Sequence, residues 1–195
     1  MSFTQLQQPF ARFDAYNAND PNREISAEKT YPKEVLYAER MTKKLNDYAP
    51  DAPEYMQLAV RCQHIGRWEI ARDAYPMDRA GYLVWRSQLK IHHTKVAGPI
   101  LRDLGYDEET ISKVKALLLK KQLGQNPDTQ LIEDVICLVF VEFYLDDFIK
   151  KHSEEKMIDI LKKTLKKISS RGIEEALKIE MTDDVRDLVL KAASV

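Results

Sequence analysis

The sequence predicts an all-α fold, built as a single helical bundle. Glycine is rare, with 6 residues in a chain of 195. Apolar residues recur at helical spacing, whereas the period-two alternation that is typical of strands is almost absent. Helix-start signals support this prediction: Pro32 stands at the favoured first turn of one helix, and Asp107 precedes acidic residues at the start of another. We therefore expect one helical domain over residues 1–195.

The predicted helices follow one another along the chain. They cover residues 3–15, 32–48, 53–68, 82–104, a segment from 107, and residues 129–151, 154–169 and 173–193, with loops at 17–23 and 69–81. The helix over 129–151 contains LIEDVICLVFVEFYLDDFI and is apolar on most faces, so we expect it to be the central buried helix. We assign the core to residues 3–169 and two amphipathic C-terminal helices to residues 154–193.

Composition restricts the class of protein. The net charge is −1, so there is no overall positive field that would attract nucleic acid or an anionic membrane. The two cysteines, Cys62 and Cys137, lie far apart, which favours free thiols over a disulfide. The first residues lack the pattern of a signal peptide, and no apolar segment approaches the length that spans a bilayer. These observations predict a cytoplasmic enzyme or binding protein that has no membrane partner.

Residues 61–93 are rich in chemically specialised side chains. This segment holds both tryptophans, three of the four histidines and five arginines. Cations beside imidazoles and flat aromatic rings suit a phosphate, a carboxylate or a nucleotide. We therefore predict a pocket for a small anionic molecule. The predicted substrate-binding residues are Arg61, Gln63, Arg67, Trp68, Arg79 and Arg86.

Two carboxylates are predicted to fall in the apolar stripe of the central helix. Asp134 and Glu142 share this stripe with Leu131, Val135 and Leu138. A buried carboxylate without a partner costs several kcal/mol, so each needs a cation, a metal ion or hydrogen-bond donors. An internal salt bridge to an arginine of the 61–93 segment is as well supported as a functional role.

Two histidines are the candidates for an inward functional role. His93 falls on the same face of its helix as Arg86, two turns away, so that both could point at one anion. A single histidine on an apolar face is more often a core residue. The presence of Arg86 on the same face favours a functional role, because an arginine and a histidine there could bind the same anion. His64 closes the preceding helix next to the Trp68 loop, where it either lines a pocket or packs the loop down.

Several motifs resemble the HD superfamily of metal-dependent phosphohydrolases. YAERM, QHIGRW, the histidine-bearing helix and LIEDVICLVF follow one another as in the helical layout of that superfamily. The resemblance implies an HD-like bundle and a hydrolase that uses a divalent metal ion. The ligand positions of the superfamily correspond to Tyr37, Gln63, His64 and Asp134, of which only Asp134 matches in type. A metal site formed by His64, His93 and Asp134, holding Mn, Fe or Mg, is the reduced arrangement that this resemblance leaves open.

Most of the chain also resembles a family of helical proteins known as a domain of unknown function, which carries a QHI-x-RW motif. Members share a DPN turn and the segments YP..LYA.RM, QHI.RW, YPM.R.GY..WR and LEDV..LVF. Here these correspond to residues 20–22, 31–41, 63–68, 75–86 and 131–140. This resemblance implies no activity.

Two functions fit these residues, and a hydrolase that acts on a phosphate ester or nucleotide is preferred by a narrow margin. His64 and Asp134 would be catalytic, arginines would neutralise the phosphoryl oxygens, and Trp68 or Tyr82 would stack a base. The alternative is a non-catalytic protein that binds an anionic metabolite or nucleotide and has lost the metal ligands. The near-neutral charge disfavours nucleic acid as a partner, and assembly as a homodimer is left open.

Overall fold

The computed structural model describes residues 4–151 and 153–193, and these residues are mainly helical. Ten α-helices and one two-stranded hairpin form the α and β structure within these ranges. The predicted all-α class is therefore confirmed. Phe3, with which the predicted first helix begins, lies outside the described residues. Among the described helices, none is both long and apolar enough to cross a membrane.

The chain divides into two compact units, the first ending at Lys121 and the second beginning at Gln122. The single domain expected over residues 1–195 stays a prediction. The first unit contains α1 (Thr4–Asn17), β1 (Arg23–Ser26), β2 (Lys29–Pro32), α2 (Lys33–Tyr48), α3 (Glu54–Arg61), α4 (Arg79–Asp103) and α5 (Glu108–Leu118).

The short helix α3 holds the first unit together. It packs against α1, α2 and α5, while α4 packs against α1 and α5. Because helices contact α3 on several sides, consecutive residues such as Leu58, Ala59 and Val60 are all buried. The largest fully buried side chains of this unit are Phe13, Met41, Leu45, Met56, Leu58, Ile65, Leu89, Leu101, Ile111 and Leu118.

The sequence analysis does not predict the β-hairpin that precedes α2. Its two strands pair antiparallel, and Ala27 and Glu28 form the connection with φ angles of 47° and 64°. Two-residue hairpin turns with both residues left-handed normally use Asn and Gly. An Ala-Glu pair gives no such signal, so the hairpin is hidden in the sequence.

Glycine and a capping aspartate set the loop between α3 and α4. The helix α3 ends well before residue 68, and Gly66 in the following loop has a left-handed φ of 66°. The helix α4 begins earlier than residue 82, because the side chain of Asp78 accepts a hydrogen bond of 2.7 Å from the Gly81 backbone N–H. A Cβ atom at Gly81 would lie 2.1 Å from the Pro76 carbonyl oxygen, so this tight start of α4 needs glycine.

The second unit is divided into more and shorter helices than the sequence predicts. It contains α6 (Pro127–Phe143), α7 (Leu145–Ile149), α8 (Glu154–Leu165), α9 (Ser170–Lys178) and α10 (Asp183–Ala193). The predicted helix over 129–151 is broken at Tyr144, which has φ −128° and ψ −20°. The predicted helix over 173–193 is likewise two helices, α9 and α10, and α8 ends before residue 169.

The position predicted for Glu142 is also wrong. The predicted apolar stripe runs on to residue 149, whereas α6 ends at Phe143: Glu142 lies in its last turn and is exposed, and burial resumes at Leu145 in α7. Glu142 therefore does not lie in a buried stripe. The apolar cluster of α7, α8 and α10 comprises Leu145, Met157, Leu161, Val185, Leu188, Val189 and Ala192.

Candidate functional site

The loop after α3 brings His64 and Arg67 to the start of α2. The Gly66 backbone N–H donates a hydrogen bond of 3.1 Å to Oδ1 of Asn17, the last residue of α1. The Asn17 side-chain amide in turn donates to the Glu34 carbonyl over 3.4 Å. Asn17 is buried, so its amide joins three segments of chain inside the first unit.

Glu34 is a buried carboxylate in the first turn of α2, and only 5% of it is exposed. Its Oε2 lies 3.2 Å from Nδ1 of His64, and its Oε1 lies 3.6 Å from Nε of Arg67. Its backbone N–H donates to Oδ2 of the buried Asp20 over 3.1 Å. Burial raises the pKa of Glu34 to about 7, although the nearby Arg67 opposes this rise.

His64 lies between Glu34 and a tyrosine ring. The Tyr37 ring stacks on the imidazole with a centroid distance of 4.1 Å and an interplanar angle of 10°. The other ring nitrogen, Nε2, is 3.5 Å from a terminal nitrogen of Arg67. Burial and the positive charge of Arg67 both hold the pKa of His64 well below its usual range, so the imidazole is neutral at pH 7.

His93 supplies a second neutral imidazole from α4. Its ring centroid lies 5.9 Å from that of His64, and its Nδ1 donates a hydrogen bond of 2.7 Å to the Ile65 carbonyl. Burial lowers the pKa of His93 to about 3, although the hydrogen bond to Ile65 raises it in part. The predicted inward placement of His93 is confirmed, because only 3% of the residue is exposed.

Arg67 connects the carboxylate to the aromatic part of the site. Its guanidinium carbon lies 4.9 Å from the ring centre of Trp85, which is a cation–π distance. The indole N–H of Trp85 donates to the Ile70 carbonyl over 2.9 Å, which fixes the ring. Burial lowers the pKa of Arg67, and Glu34 opposes this shift. Arg67 is thus a partly buried cation held between one carboxylate, one imidazole and one aromatic ring.

Arg86 is the charged side chain with the fewest interactions at this cluster. It is half-buried on α4, and within residues 4–151 and 153–193 it forms neither a hydrogen bond nor a salt bridge. Its positive charge contributes to the lowered pKa values of His64, Arg67 and His93, so it lies close enough to affect all three. Arg67 therefore has Glu34 as a counter-ion, whereas Arg86 adds a second positive charge near the same imidazoles without a partner among the described residues.

Two of the predicted binding residues have other surroundings. Arg61 donates to Asp14 through Nε at 2.9 Å and Nη2 at 2.5 Å, and to the Thr42 hydroxyl at 3.3 Å. The Trp68 ring packs at 5.9 Å from the Tyr16 ring. The first arrangement connects α3 to α1 and α2, and the second connects the loop after α3 to α1.

The remaining two predicted binding residues differ in burial: Gln63 is buried and Arg79 is exposed. Gln63 is 4% exposed, and its side-chain oxygen has no hydrogen-bond partner in the described part of the chain. Arg79, the first residue of α4, is exposed to solvent. Their predicted contact with a substrate stays a prediction.

The third histidine of the segment belongs to a separate cluster. His92 Nε2 lies 3.2 Å from Glu69 Oε2 without hydrogen-bond geometry, and Glu69 Oε1 accepts a bond of 2.6 Å from the Tyr16 hydroxyl. Burial and this hydrogen bond raise the pKa of Tyr16 to about 12. A Cβ atom at Gly66 would lie 2.8 Å from His92 Nε2, so this cluster also restricts the loop that carries His64.

Asp134 lies in the second unit and is engaged by the start of α9. As predicted, it is buried on α6, with 3% exposed. Its carboxylate accepts hydrogen bonds from the Ser169 backbone N–H at 2.8 Å, from the Ser169 hydroxyl, and from the Gln130 amide at 2.9 Å. The Ser169 hydroxyl also accepts from the Gly172 N–H at 3.1 Å. Asp134 thereby stabilises the capping residue of α9.

Within residues 4–151 and 153–193, no three His, Cys, Asp or Glu side chains lie together in a way that could hold one metal ion. Of the predicted ligands, His64 and His93 lie in the first unit and Asp134 lies in the second. The predicted Mn, Fe or Mg site therefore stays a prediction.

Glu34 is a member of this cluster that was not predicted from the sequence. An acidic residue in the first turn of a helix is common, because it interacts well with the helix dipole. Nothing in the sequence distinguishes a buried Glu34 from a solvated one. Tyr37 gave a weak signal, since the HD resemblance aligns it with a ligand position, and it does contact His64.

No curated protein and no solved structure matches the chain. A family comparison does give a match, which covers residues 7–189 and therefore most of both units. The chain belongs to the family described as domain of unknown function DUF4202.

Proposed function

We propose that the first unit binds a small phosphate-bearing molecule and hydrolyses a phosphate ester there. The observation that carries this proposal is Arg86, a half-buried guanidinium with no ion pair in the described residues, close to Arg67 and two neutral imidazoles. Partly buried like charges repel one another, and an anion between them would remove that repulsion. Guanidinium groups suit phosphate because they bind its oxygens in a forked geometry.

The hydrolytic step needs a base and charge stabilisation. Neutral His64 would take a proton from a water molecule while the water oxygen forms a bond to phosphorus. The ester P–O bond breaks, and the leaving oxygen takes a proton from solvent. Arg67 and Arg86 would stabilise the negative charge on the phosphoryl oxygens. The sequence also predicts a catalytic role for Asp134, a divalent metal ion and an HD-like arrangement of helices. These three predictions remain part of the hydrolase proposal, but no step described above depends on them.

A nucleotide is the form of substrate that the aromatic side chains favour. Tyr82 is 45% exposed and stands one helical turn before Arg86 on α4. A base stacked on an exposed ring next to a phosphate held by arginine is a common arrangement.

The two cysteines support a cytoplasmic location. Both are free thiols, and free thiols are typical of the reducing cytoplasm.

The test compares binding and turnover in matched arginine variants. Calorimetry with inorganic phosphate and nucleoside monophosphates should show binding that Arg86→Ala weakens by about tenfold or more. Arg102→Ala is the control, since this exposed arginine pairs with Glu108. Release of phosphate from a panel of esters, with and without Mn²⁺, Mg²⁺ or Fe²⁺, reports hydrolysis. Equal affinities in wild type and Arg86→Ala would contradict the proposal.

A non-catalytic binding protein is the second candidate, and the histidine environments favour it. Burial lowers the pKa values of His64 and His93, which makes both imidazoles weak bases. Binding that depends on Arg86, with no turnover of any ester in the panel, would support this candidate. Turnover that chelators abolish would instead support the metal-dependent hydrolase expected from the sequence.

A further inference from the structure

The position of Glu34 beside His64 suggests a specific role for a residue that sequence reasoning did not single out. We propose that Glu34 is a positioning residue, which fixes the imidazole of His64 with its proton on Nδ1 and its Nε2 lone pair towards Arg67. The inference deepens the proposed function, because a base at this site needs that lone pair. The tautomer itself can be measured without any substrate.

The two ring nitrogens of His64 face chemically opposite groups. Nδ1 lies 3.2 Å from the Glu34 Oε2, and a carboxylate oxygen accepts hydrogen bonds. Nε2 lies 3.5 Å from a terminal nitrogen of Arg67, and a guanidinium can only donate. One neutral tautomer satisfies both neighbours: the proton is on Nδ1 and the lone pair is on Nε2.

Glu34 is itself held in place from several directions. Its backbone N–H donates to Asp20 and its backbone carbonyl accepts from Asn17, and both partners are almost completely buried. Its second carboxylate oxygen lies 3.6 Å from Arg67 Nε. The Glu34 carboxyl group is thus held at a fixed position next to His64 Nδ1.

The second imidazole of the site has the same tautomer for a different reason. Nδ1 of His93 donates to the Ile65 carbonyl, and a carbonyl oxygen can only accept. The two rings are 5.9 Å apart. Both neutral imidazoles thus keep the lone pair on Nε2, one through a backbone carbonyl and the other through Glu34. Only the second arrangement depends on a side chain that mutation can change.

The decisive variant is Glu34→Gln, which preserves size and changes the hydrogen-bonding groups. Arg67 Nε donates towards Oε1, so the amide oxygen of the glutamine should face Arg67. The amide nitrogen then faces His64 Nδ1 and donates to it, which moves the histidine proton to Nε2. Glu34→Asp keeps a carboxylate and should keep the proton on Nδ1.

The measurement is long-range ¹H–¹⁵N NMR of the full chain, labelled with ¹⁵N, at a pH well above 7, where the histidines are neutral and Glu34 is ionised. Wild type should show His64 and His93 protonated on Nδ1. In Glu34→Gln the His64 signals should change to the other tautomer, while those of His93 stay unchanged. Glu69→Gln is the matched control, because Glu69 lies equally close to a histidine, His92, in the neighbouring cluster. It should leave His64 unaffected.

Kinetics supply a second readout that a merely structural role would not alter in the same way. For any ester that the wild type hydrolyses, Glu34→Gln should lower kcat by about a hundredfold or more and change KM by less than about threefold. Glu34→Asp should recover part of kcat.

The possible outcomes separate this inference from the proposed function. A proton on Nε2 of His64 in wild type overturns the inference, even if no Glu34 variant folds. An unchanged tautomer in folded Glu34→Gln also overturns it. If the tautomers follow Glu34 but wild type hydrolyses no ester, the role of Glu34 is supported and the hydrolase is contradicted.

Discussion

The two units of the chain use polar side chains in different ways. In the first, the buried polar residues come from many segments and include Asn17, Asp20, Glu34 and His93. In the described part of the second, they come from α6 alone, as Thr129, Glu133 and Asp134. Buried polar groups are costly unless satisfied, and a network of them restricts a site to one arrangement. The contrast directs the search for function to the first unit.

Charged residues show the same difference. In the second unit they form pairs on exposed helix faces, such as Lys163 with Asp159 one turn earlier. Exposed pairs of this kind contribute little to stability. In the first unit, Glu34 and Arg67 are removed from most of the solvent, and Arg86 has no counter-ion within the described residues. The first unit has exposed pairs of the same kind, such as Arg102 with Glu108, and in addition this cluster of partly buried charges.

The largest effect is expected in the apolar core of the second unit. Leu161→Ala should lower the free energy of unfolding by about 3–4 kcal/mol, because Leu161 is 1% exposed and its removal leaves a cavity. Chemical denaturation measures the change. Leu177→Ala is the control, since Leu177 is 37% exposed and should lose less than about 1 kcal/mol. Equal losses would contradict the assigned core.

A smaller loss is expected when the partly buried ion pair between Arg61 and Asp14 is broken. Arg61→Ala should cost about 2 kcal/mol, because it leaves the partly exposed Asp14 without its partner and removes packing over Phe10. Denaturation midpoints give the value. The exposed Arg102 offers a matched substitution that should cost less than about 1 kcal/mol. If Arg61→Ala folds normally but loses phosphate affinity, the sequence-based role of Arg61 in binding is supported instead.

The pH dependence of stability should come in part from His93. Its folded pKa is lowered to about 3, so between pH 3 and about 6.5 the unfolded chain binds a proton that the folded chain does not. Stability should therefore fall as pH drops below about 6.5. At about pH 5 this effect should have lowered the free energy of unfolding of the wild type by roughly 2 kcal/mol relative to pH 7. His93→Gln should not show this loss. Chemical denaturation of both proteins at several pH values in this range gives the free energy of unfolding. If the two proteins lose stability equally as the pH falls, His93 does not contribute.

A smaller effect is expected for Asp134→Asn. The variant keeps the shape of the side chain but loses charge-assisted bonds to Ser169, so it should cost about 1 kcal/mol. Thermal melting measures this change. A loss of turnover with unchanged melting would support the catalytic role that the sequence predicts for Asp134.

Helices were largely predictable from the sequence, whereas side-chain partners were not. Asp107 precedes α5 and Asn126 precedes α6, and both cap their helices as such residues usually do. The hairpin was hidden because Ala27 and Glu28 adopt left-handed angles without the usual residues. Local pattern also cannot show that Tyr144 interrupts an apolar run.

The site was predicted only in part, for a physical reason. His64, Arg67, Arg86 and His93 do belong to one cluster in the first unit, and the enrichment of residues 61–93 indicated them. Arg61 carries the same chemistry in the same segment, yet pairs with an aspartate from α1. Pairing across distant segments is set by tertiary structure, which spacing along the chain does not encode.

The length of α4 has a consequence for how the site could be altered. Arg86 and His93 stand seven residues apart on one unbroken helix, so a rigid rod with about 10 Å of axial rise sets their separation. Deleting one residue between them would rotate one side chain by about 100° relative to the other. Such a deletion would turn either Arg86 or His93 away from the loop after α3. It would change the geometry of the cluster without replacing any of its residues.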